Sequence, residues 1–478
     1  MHRKLLLSCI AFILAAAVGV AVLMITGLLD RAPAQPPVRI EASGDRTFTL
    51  FLLGGSTTQG HPYQDRLDVG RLVSAMFDDR VADMPITVRN LAQGSRNSAL
   101  VIDDARRIAA RKPDPTRTLV FIYCGNNEFL HLDASPQRTA GERRLFDQPI
   151  VSDAQRDAIL RDYRDNLSRI ITVLQAADLP VVLSTVAVNQ RDFPPLRSVL
   201  RDDSNEPRVR DLLTAADRAM RGGDVQTAQA GYEQLLAIEP TFAHAAYMAA
   251  TCAASLGDDA ATRALFQTAV DCDANPYRAT SAHNRIIREL AEAHAVPLVD
   301  AAALLATASP HGVVGYERMW DNCHPTLDGY LLLAEALAQR VRDVHPAGPP
   351  PRTLTVEQVK QRFDIDDRYE SDVLGSRGEY LAAVAMLTWN RAPHLRQAGR
   401  YLDTALTLWP ENPRALISRA ILAAVQRQTN QFLQYWRRAY AADAQATLDR
   451  IASENIVLLM RMQGVDNLHD LLTKGAKP

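Results

Sequence analysis

The 478-residue chain has few cysteines, no excess of either charge and no paired metal-ligand spacing. Its five cysteines, Cys9, Cys124, Cys252, Cys272 and Cys323, are scattered, and none forms a C-x-x-C pair. That excludes a disulfide-stapled scaffold at this length and gives no zinc-binding pattern. The formal net charge is -2, so nothing electrostatic points to nucleic acid or to an anionic membrane surface. His61, His131, His283, His294, His311 and His345 also lack ligand spacing, so no metal and no cofactor is expected. These histidines read as solvated or capping residues.

Long apolar runs are confined to one place. Leu5 to Leu29 is uncharged and apolar over 25 residues, enough to cross a bilayer as a helix. His2, Arg3 and Lys4 precede it, so the positive-inside rule keeps the N-terminus cytoplasmic and sends the body across the membrane. A cleaved signal peptide would need an apolar region of only ~7–15 residues. The expectation is therefore a retained single-pass anchor over 1–30, with the body extracytoplasmic, periplasmic in a Gram-negative cell. A polar, proline-containing linker follows over 31–46.

From Thr47 onward, apolar runs alternate with amphipathic helical patterns. The runs are Thr47 to Leu53, Ile86 to Leu91, Thr118 to Cys124, Leu179 to Val188 and Val296 to Val299. Such continuous runs between helices predict an α/β fold, a parallel sheet layered between helices. The alternation breaks after Val188. From Arg208 to Asp273 the chain reads as all helical, with the grammar of tetratricopeptide units. Gly223 and Gly257 occupy equivalent turns 34 residues apart, and Pro240 and Ala274 repeat at the same period. A further helical stretch runs from Tyr380 to Met462. The expected organisation is a catalytic domain over 47–207 and 276–345, an insert of repeats over 208–275, a linker over 346–379 and C-terminal repeat-like helices over 380–478.

Four blocks fall at strand ends or in the last loop of the catalytic domain. Gly54-Gly55-Ser56-Thr57-Thr58 ends the first strand, where two glycines allow a turn that lifts a serine hydroxyl above the sheet edge. Asn90 to Ser95 follows the second strand, and Gly125-Asn126-Asn127-Glu128 the third. Asp321-Asn322-Cys323-His324-Pro325 comes last. An aspartate and a histidine three residues apart can share one turn, so the carboxylate binds Nδ1 and leaves Nε2 for a serine. Each block alone has a mundane reading as a surface turn or helix start. The order and placement of all four carry the signal.

In these blocks the sequence resembles the SGNH (GDSL-like) hydrolases, over roughly Thr47 to Val344. Gly125 to Phe129 and Asp321 to Gly329 resemble the bacterial subgroup fused to tetratricopeptide repeats. The resemblance implies Ser56 as nucleophile, His324 as general base and Asp321 as the residue that orients it. It implies an oxyanion hole from the Ser56 and Gly94 backbone N–H groups and the Asn127 amide. The family's glycine, counted from Asn90, would fall at Ser95, whereas the glycine itself is Gly94. Gly55 and Glu128 stand where the family often has aspartates.

The implied activity is a serine esterase acting on an acyl ester, expected to be acetyl, on an extracytoplasmic glycan or lipid. Two other classes remain open: an acyltransferase working on a cell-surface polysaccharide, and an interaction protein with an idle hydrolase domain. The helical repeats are expected to bind a protein partner. Phe193 and Trp320 are weighed as pocket walls against simple packing. Cys124 and Cys323 should both lie near the catalytic edge, and whether they pair is left open.

Overall fold

The computed structural model describes residues 46–130 and 151–447, apart from positions 347, 386, 387, 389, 427 and 446. The expected membrane anchor, the linker to residue 45 and the chain beyond 447 lie outside these residues. Among the described residues no helix is long and apolar enough to cross a membrane. The chain divides into two compact units, which in the described residues are 46–363 and 364–447.

In the first unit, β1 (Phe48–Gly54) leads into a short helix, α1 (Ser56–Gln59), and then α2 (Val69–Met76). A two-residue strand, β2 (Arg80–Val81), precedes β3 (Met84–Asn90) and α3 (Ser98–Ala109). β4 (Thr118–Tyr123), α4 (Asp153–Gln175) and β5 (Val181–Ser184) follow. The chain then leaves the sheet for four helices, α5 (Glu206–Arg221), α6 (Val225–Ile238), α7 (Ala243–Leu256) and α8 (Asp259–Asp271). It returns through α9 (Ser281–Ala293) to β6 (Leu298–Val299), α10 (Ala301–Thr307), α11 (Leu327–Val344) and α12 (Val356–Arg362).

The sheet order is β2-β3-β1-β4-β5-β6. β3, β1, β4, β5 and β6 are mutually parallel, and only β2 runs antiparallel, against β3. All seven residues of β1 and all six of β4 are buried, as the continuous apolar runs demand of central parallel strands. The chain moves from β1 outward to β3 in one direction, and from β3 over β1 to β4, β5 and β6 in the other. α2 packs with α11, and α3 and α9 both pack with α4, the two-layer cover that the right-handed crossover rule demands of this strand order. That reversal creates a switch point at the carboxyl ends of β1 and β4, where open α/β sheets bind ligands. β2 is the strand that the hydrophobic pattern did not predict, because two residues carry no period.

The four helices of the insert are two antiparallel hairpins. Gly223 and Gly257, at φ +82° and +79°, make the two turns, and a left-handed turn there favours glycine. Val209, Leu213, Tyr232, Leu235 and Phe242 bury one another within the insert. A second cluster joins Tyr247, Ala250, Phe266 and Ala269 to Val313 of the sheet-bearing part.

The second unit begins earlier than the expected boundary at 380. Residues 346–379 are not a plain linker, since they hold α12 and the first part of α13 (Asp367–Ala385). Thr355 and Gln358 form a capping box that starts α12 despite the prolines just before it. Buried Val373, Leu374 and Leu381 give α13 an apolar stripe. α14 (Arg391–Leu408), α15 (Pro413–Val425) and α16 (Thr429–Ala442) complete this unit. Trp436 is buried and stacks on Phe432 with centroids 6.0 Å apart, so its role is packing.

Candidate active site

Block one turns sharply because two close approaches leave no room for a side chain. A Cβ on Gly54 would lie 2.0 Å from the Tyr123 carbonyl oxygen, and one on Gly55 would lie 2.6 Å from Asn127 Nδ2. Ser56 is therefore the first residue that can carry a side chain at the carboxyl end of β1. It opens α1 with Gly55 as N-cap, where the first backbone N–H groups have no intrahelical acceptor. Thr58 Oγ1 donates to the Tyr123 carbonyl at 2.7 Å, and Asn90 Nδ2 donates to the Thr58 carbonyl at 2.9 Å. These bonds tie the ends of β1, β3 and β4 together.

The last block arrives from across the sheet. Met319 and Pro325 form an antiparallel bridge, and Trp320 N–H donates to the His324 carbonyl at 2.7 Å. This closes the loop that carries Asp321 and His324. Thr57 Oγ1 donates to the Cys323 carbonyl at 3.1 Å, and the Tyr330 hydroxyl shares its one hydrogen between the carbonyls of Thr57 and His61, both at 2.8 Å. The serine turn and the histidine loop are thus clamped over 266 residues of sequence.

The result is a continuous chain of hydrogen bonds. Ser56 Oγ lies 2.8 Å from His324 Nε2. His324 Nδ1 lies 2.9 and 2.8 Å from the two carboxylate oxygens of Asp321. Asp321 is fully buried, and its Oδ1 also accepts the backbone N–H groups of Cys323 and His324, each at 3.0 Å. With the carboxylate taking the Nδ1 proton, Nε2 is left to accept from Ser56. The Asp321, Cys323 and His324 donor atoms lie within 4.8 Å of one another, but both imidazole nitrogens are already engaged by Asp321 and Ser56.

The third block sits beside the serine. Asn127 is buried, and Nδ2 donates one hydrogen to the Arg96 carbonyl at 3.0 Å. The carboxamide has a second N–H to offer. Glu128 is a structural residue here: its buried carboxylate accepts from Ser98 N–H at 2.9 Å and Ser98 Oγ at 2.8 Å. Those bonds tie the third block to the start of α3.

The second block resolves less simply. Gly94 is exposed. The left-handed backbone, φ +60°, falls on Ser95 instead, the position at which the family count puts the glycine. Two further sequence readings end in packing. Phe193 is buried under the Arg278 guanidinium at 5.1 Å, and Trp320 Nε1 donates to the Tyr63 hydroxyl at 3.0 Å. Cys124 and Cys323 are both buried, and no disulfide joins them.

His61, expected to be solvated or capping, is a neighbour of the triad instead. His61 meets the His324 ring edge-on, with centroids 4.5 Å apart. Only its position five residues after Ser56 hinted at this.

Solved lipases and esterases match the chain at low identity and low TM-score. Against a member of the lipolytic G-D-S-L family from Veillonella parvula, identity is 12%, with 61% of this chain and 96% of that one covered and a TM-score of 0.31. Against a lipase/acylhydrolase from Enterococcus faecalis the values are 15%, 64%, 98% and 0.30. Against a catalytic mutant of an acetylxylan esterase from Geobacillus stearothermophilus they are 13%, 63%, 96% and 0.32. No protein-family model and no curated protein matches the chain.

Proposed function

We propose that the protein is a serine esterase working through an acyl-enzyme. The observation that carries this reading is the unbroken Ser56–His324–Asp321 chain at the switch point of a parallel sheet. In the first step Ser56 Oγ attacks the ester carbonyl carbon while its proton passes to His324 Nε2. Negative charge moves onto the carbonyl oxygen, where the Ser56 N–H and the second Asn127 N–H stabilise it in this reading. Collapse of the tetrahedral adduct expels the alcohol, which takes the proton from His324. Water, deprotonated by the same nitrogen, then attacks the acyl-serine and releases the acid. Asp321, buried and charged beside the ring, stabilises the imidazolium in both halves.

The substrate in this reading is an acyl ester, acetyl in the simplest case, on a glycan or lipid outside the cytoplasm. The apolar run from Leu5 to Leu29 and the basic residues before it support a membrane anchor with an extracytoplasmic body. The hairpins of the insert support a docking surface for a protein partner. Labelling the protein with a fluorophosphonate, followed by a panel of small acyl esters, tests the central reading. Labelling at Ser56 and turnover lost in Ser56→Ala are expected. Wild-type turnover in Ser56→Ala would remove Ser56 from the mechanism. Membrane fractionation and protease access in intact and opened cells test the topology, and a full-length product free in the cytoplasm contradicts it.

A further inference from the structure

Acylation of Ser56 removes one of the two bonds that hold His324. At rest the imidazole is tied through Nε2 to Ser56 and through Nδ1 to Asp321. Once Ser56 Oγ carries the acyl group it has no proton to donate, and a neutral Nε2 has none to offer in return. Until water is activated, the Asp321 bond is the one bond of the triad that still holds the ring. The ring torsion of a histidine is broad, so the plane of His324 is then set by what packs against it.

His61 packs there. The two ring centroids are 4.5 Å apart and the ring planes meet at 61°. The backbone that carries His61 is held at both ends. Its N–H donates to the Ser56 carbonyl at 3.0 Å. Its carbonyl accepts the Tyr330 hydroxyl at 2.8 Å, the same hydroxyl that reaches the Thr57 carbonyl. Tyr330 is fully buried in α11, the helix that follows the histidine loop.

Neither backbone bond passes through Ser56 Oγ. The frame under His61, and the ring contact it supports, therefore survive acylation, when the Ser56–His324 bond does not. That timing separates His61 from a side chain that merely fills space beside the triad. A restraint present throughout matters most in the half of the reaction where the other restraint is gone. A small tilt of the base at that point misplaces the nitrogen that must take the proton from water.

We propose that His61 is a positioning residue for deacylation, its ring holding the His324 imidazole in its working orientation while Ser56 is acylated. This role rests on the esterase reading of Ser56. In the step it supports, a water proton passes to His324 Nε2 and the water oxygen bonds to the acyl carbon. The bond from that carbon to Ser56 Oγ then breaks, and Oγ takes the proton back from Nε2. His61 exchanges no proton in this sequence; its ring does the work, and its nitrogens are not required.

Two variants of the full-length protein separate the ring from its nitrogens. His61→Ala removes both, His61→Phe keeps a ring, and each keeps the backbone bonds. With p-nitrophenyl acetate, an activated ester that acylates fast, His61→Ala should lower kcat and KM together by about tenfold. Its kcat/KM and its rate of fluorophosphonate labelling should stay within about twofold of wild type, because deacylation alone has slowed. His61→Phe should restore most of the lost kcat. Wild-type kcat in His61→Ala overturns the role, as does an equal loss in kcat/KM or a His61→Phe no better than His61→Ala. Proton NMR of the His324 Nδ1–H in Ser56→Ala, which lacks the same bond as the acyl-enzyme, reads the restraint without turnover. That resonance should persist in Ser56→Ala and broaden when His61→Ala is added, and equal line widths overturn the role. If the broadening is present but the wild type neither labels nor turns over esters, the esterase reading falls and His61 stands as the restraint on His324.

Discussion

Asn127 shows how much of the site a sequence can carry and where it stops. Its carboxamide is fixed by the Arg96 carbonyl on one side and by the tight Gly55 turn on the other, so the free N–H points from a rigid frame. Asn127→Ala should lower kcat by ~10²–10³ with a smaller change in KM, because the lost donor is needed only as charge develops. Steady-state kinetics on a small ester checks this, and an unchanged kcat removes Asn127 from the mechanism. Asp321→Asn should cost more, on the order of 10⁴ in kcat, since a carboxamide cannot hold the Nδ1–H tautomer. The melting temperature must stay near wild type for that comparison to count. Ser56, Asp321 and His324 were legible because each depends on a side chain in a short contiguous block. The third donor was not, because a backbone N–H carries no residue identity. Gly94 has the right name, while Ser95 has the left-handed backbone. His61 was read as solvated or capping for another reason: it reaches His324 through space, from a turn.

Among the elements, α9 carries a titration that can be read in stability. His283 is fully buried, and its Nδ1 accepts Thr280 N–H at 3.1 Å, capping the helix. The rings of Phe129 and Tyr163 pack against it at 5.3 and 5.0 Å. Burial, with a smaller push from Arg156, takes the imidazole down to about 3 from its usual 6.5. The folded protein therefore keeps His283 neutral while the unfolded chain charges it below ~6.5. Between pH 6.5 and 3 the unfolded state binds more protons, so this residue makes stability fall as the pH falls. Asp273, pushed up to about 6, acts in the opposite sense, but it is common to wild type and variant. His283→Gln keeps an acceptor at the capping position. It should flatten the decline of melting temperature below pH 6.5 relative to wild type, and parallel pH profiles for the two proteins would refute the assignment. The strands were legible at this scale because β1 and β4 are buried on both faces and read as unbroken apolar runs. β2 was too short to read. α12 and the start of α13 were obscured by the proline run from Pro349 to Pro351, which looks like a linker until the Thr355 cap begins a helix.

At the scale of the first unit, the insert is braced on the loops beside the site. Two helical hairpins are fewer than the roughly three repeats usually needed for independent stability, so they need a surface to lean on. Phe266 and Tyr247 pack around Val313. The Tyr247 hydroxyl donates to the Arg191 carbonyl at 2.9 Å, and Gln190 Nε2 donates to Gln267 Oε1 at 2.8 Å. Leu235 and Phe242, by contrast, are spent on the insert's own core. These braces reach residues 190–191 and 313 and none touches Ser56 or His324, which supports a division of labour in which the insert shapes access or docks a partner. The cut that tests it must respect the return segment. Arg156 donates to the carbonyls of Asp271 and Asp273 at 3.1 and 2.8 Å, and Asp273 holds Leu196 and Arg197. Replacing residues 208–270 with a Gly/Ser linker keeps these anchors and Arg278. The product should melt at a lower temperature, because Val313 loses its apolar cover. It should still hydrolyse a small aryl acetate within about tenfold of wild type, since every group of the triad and hole remains. Activity on the natural large substrate, or binding to a partner, should fall much further. A folded product that has lost small-ester hydrolysis would show that the insert holds the catalytic geometry itself, through the loops it braces.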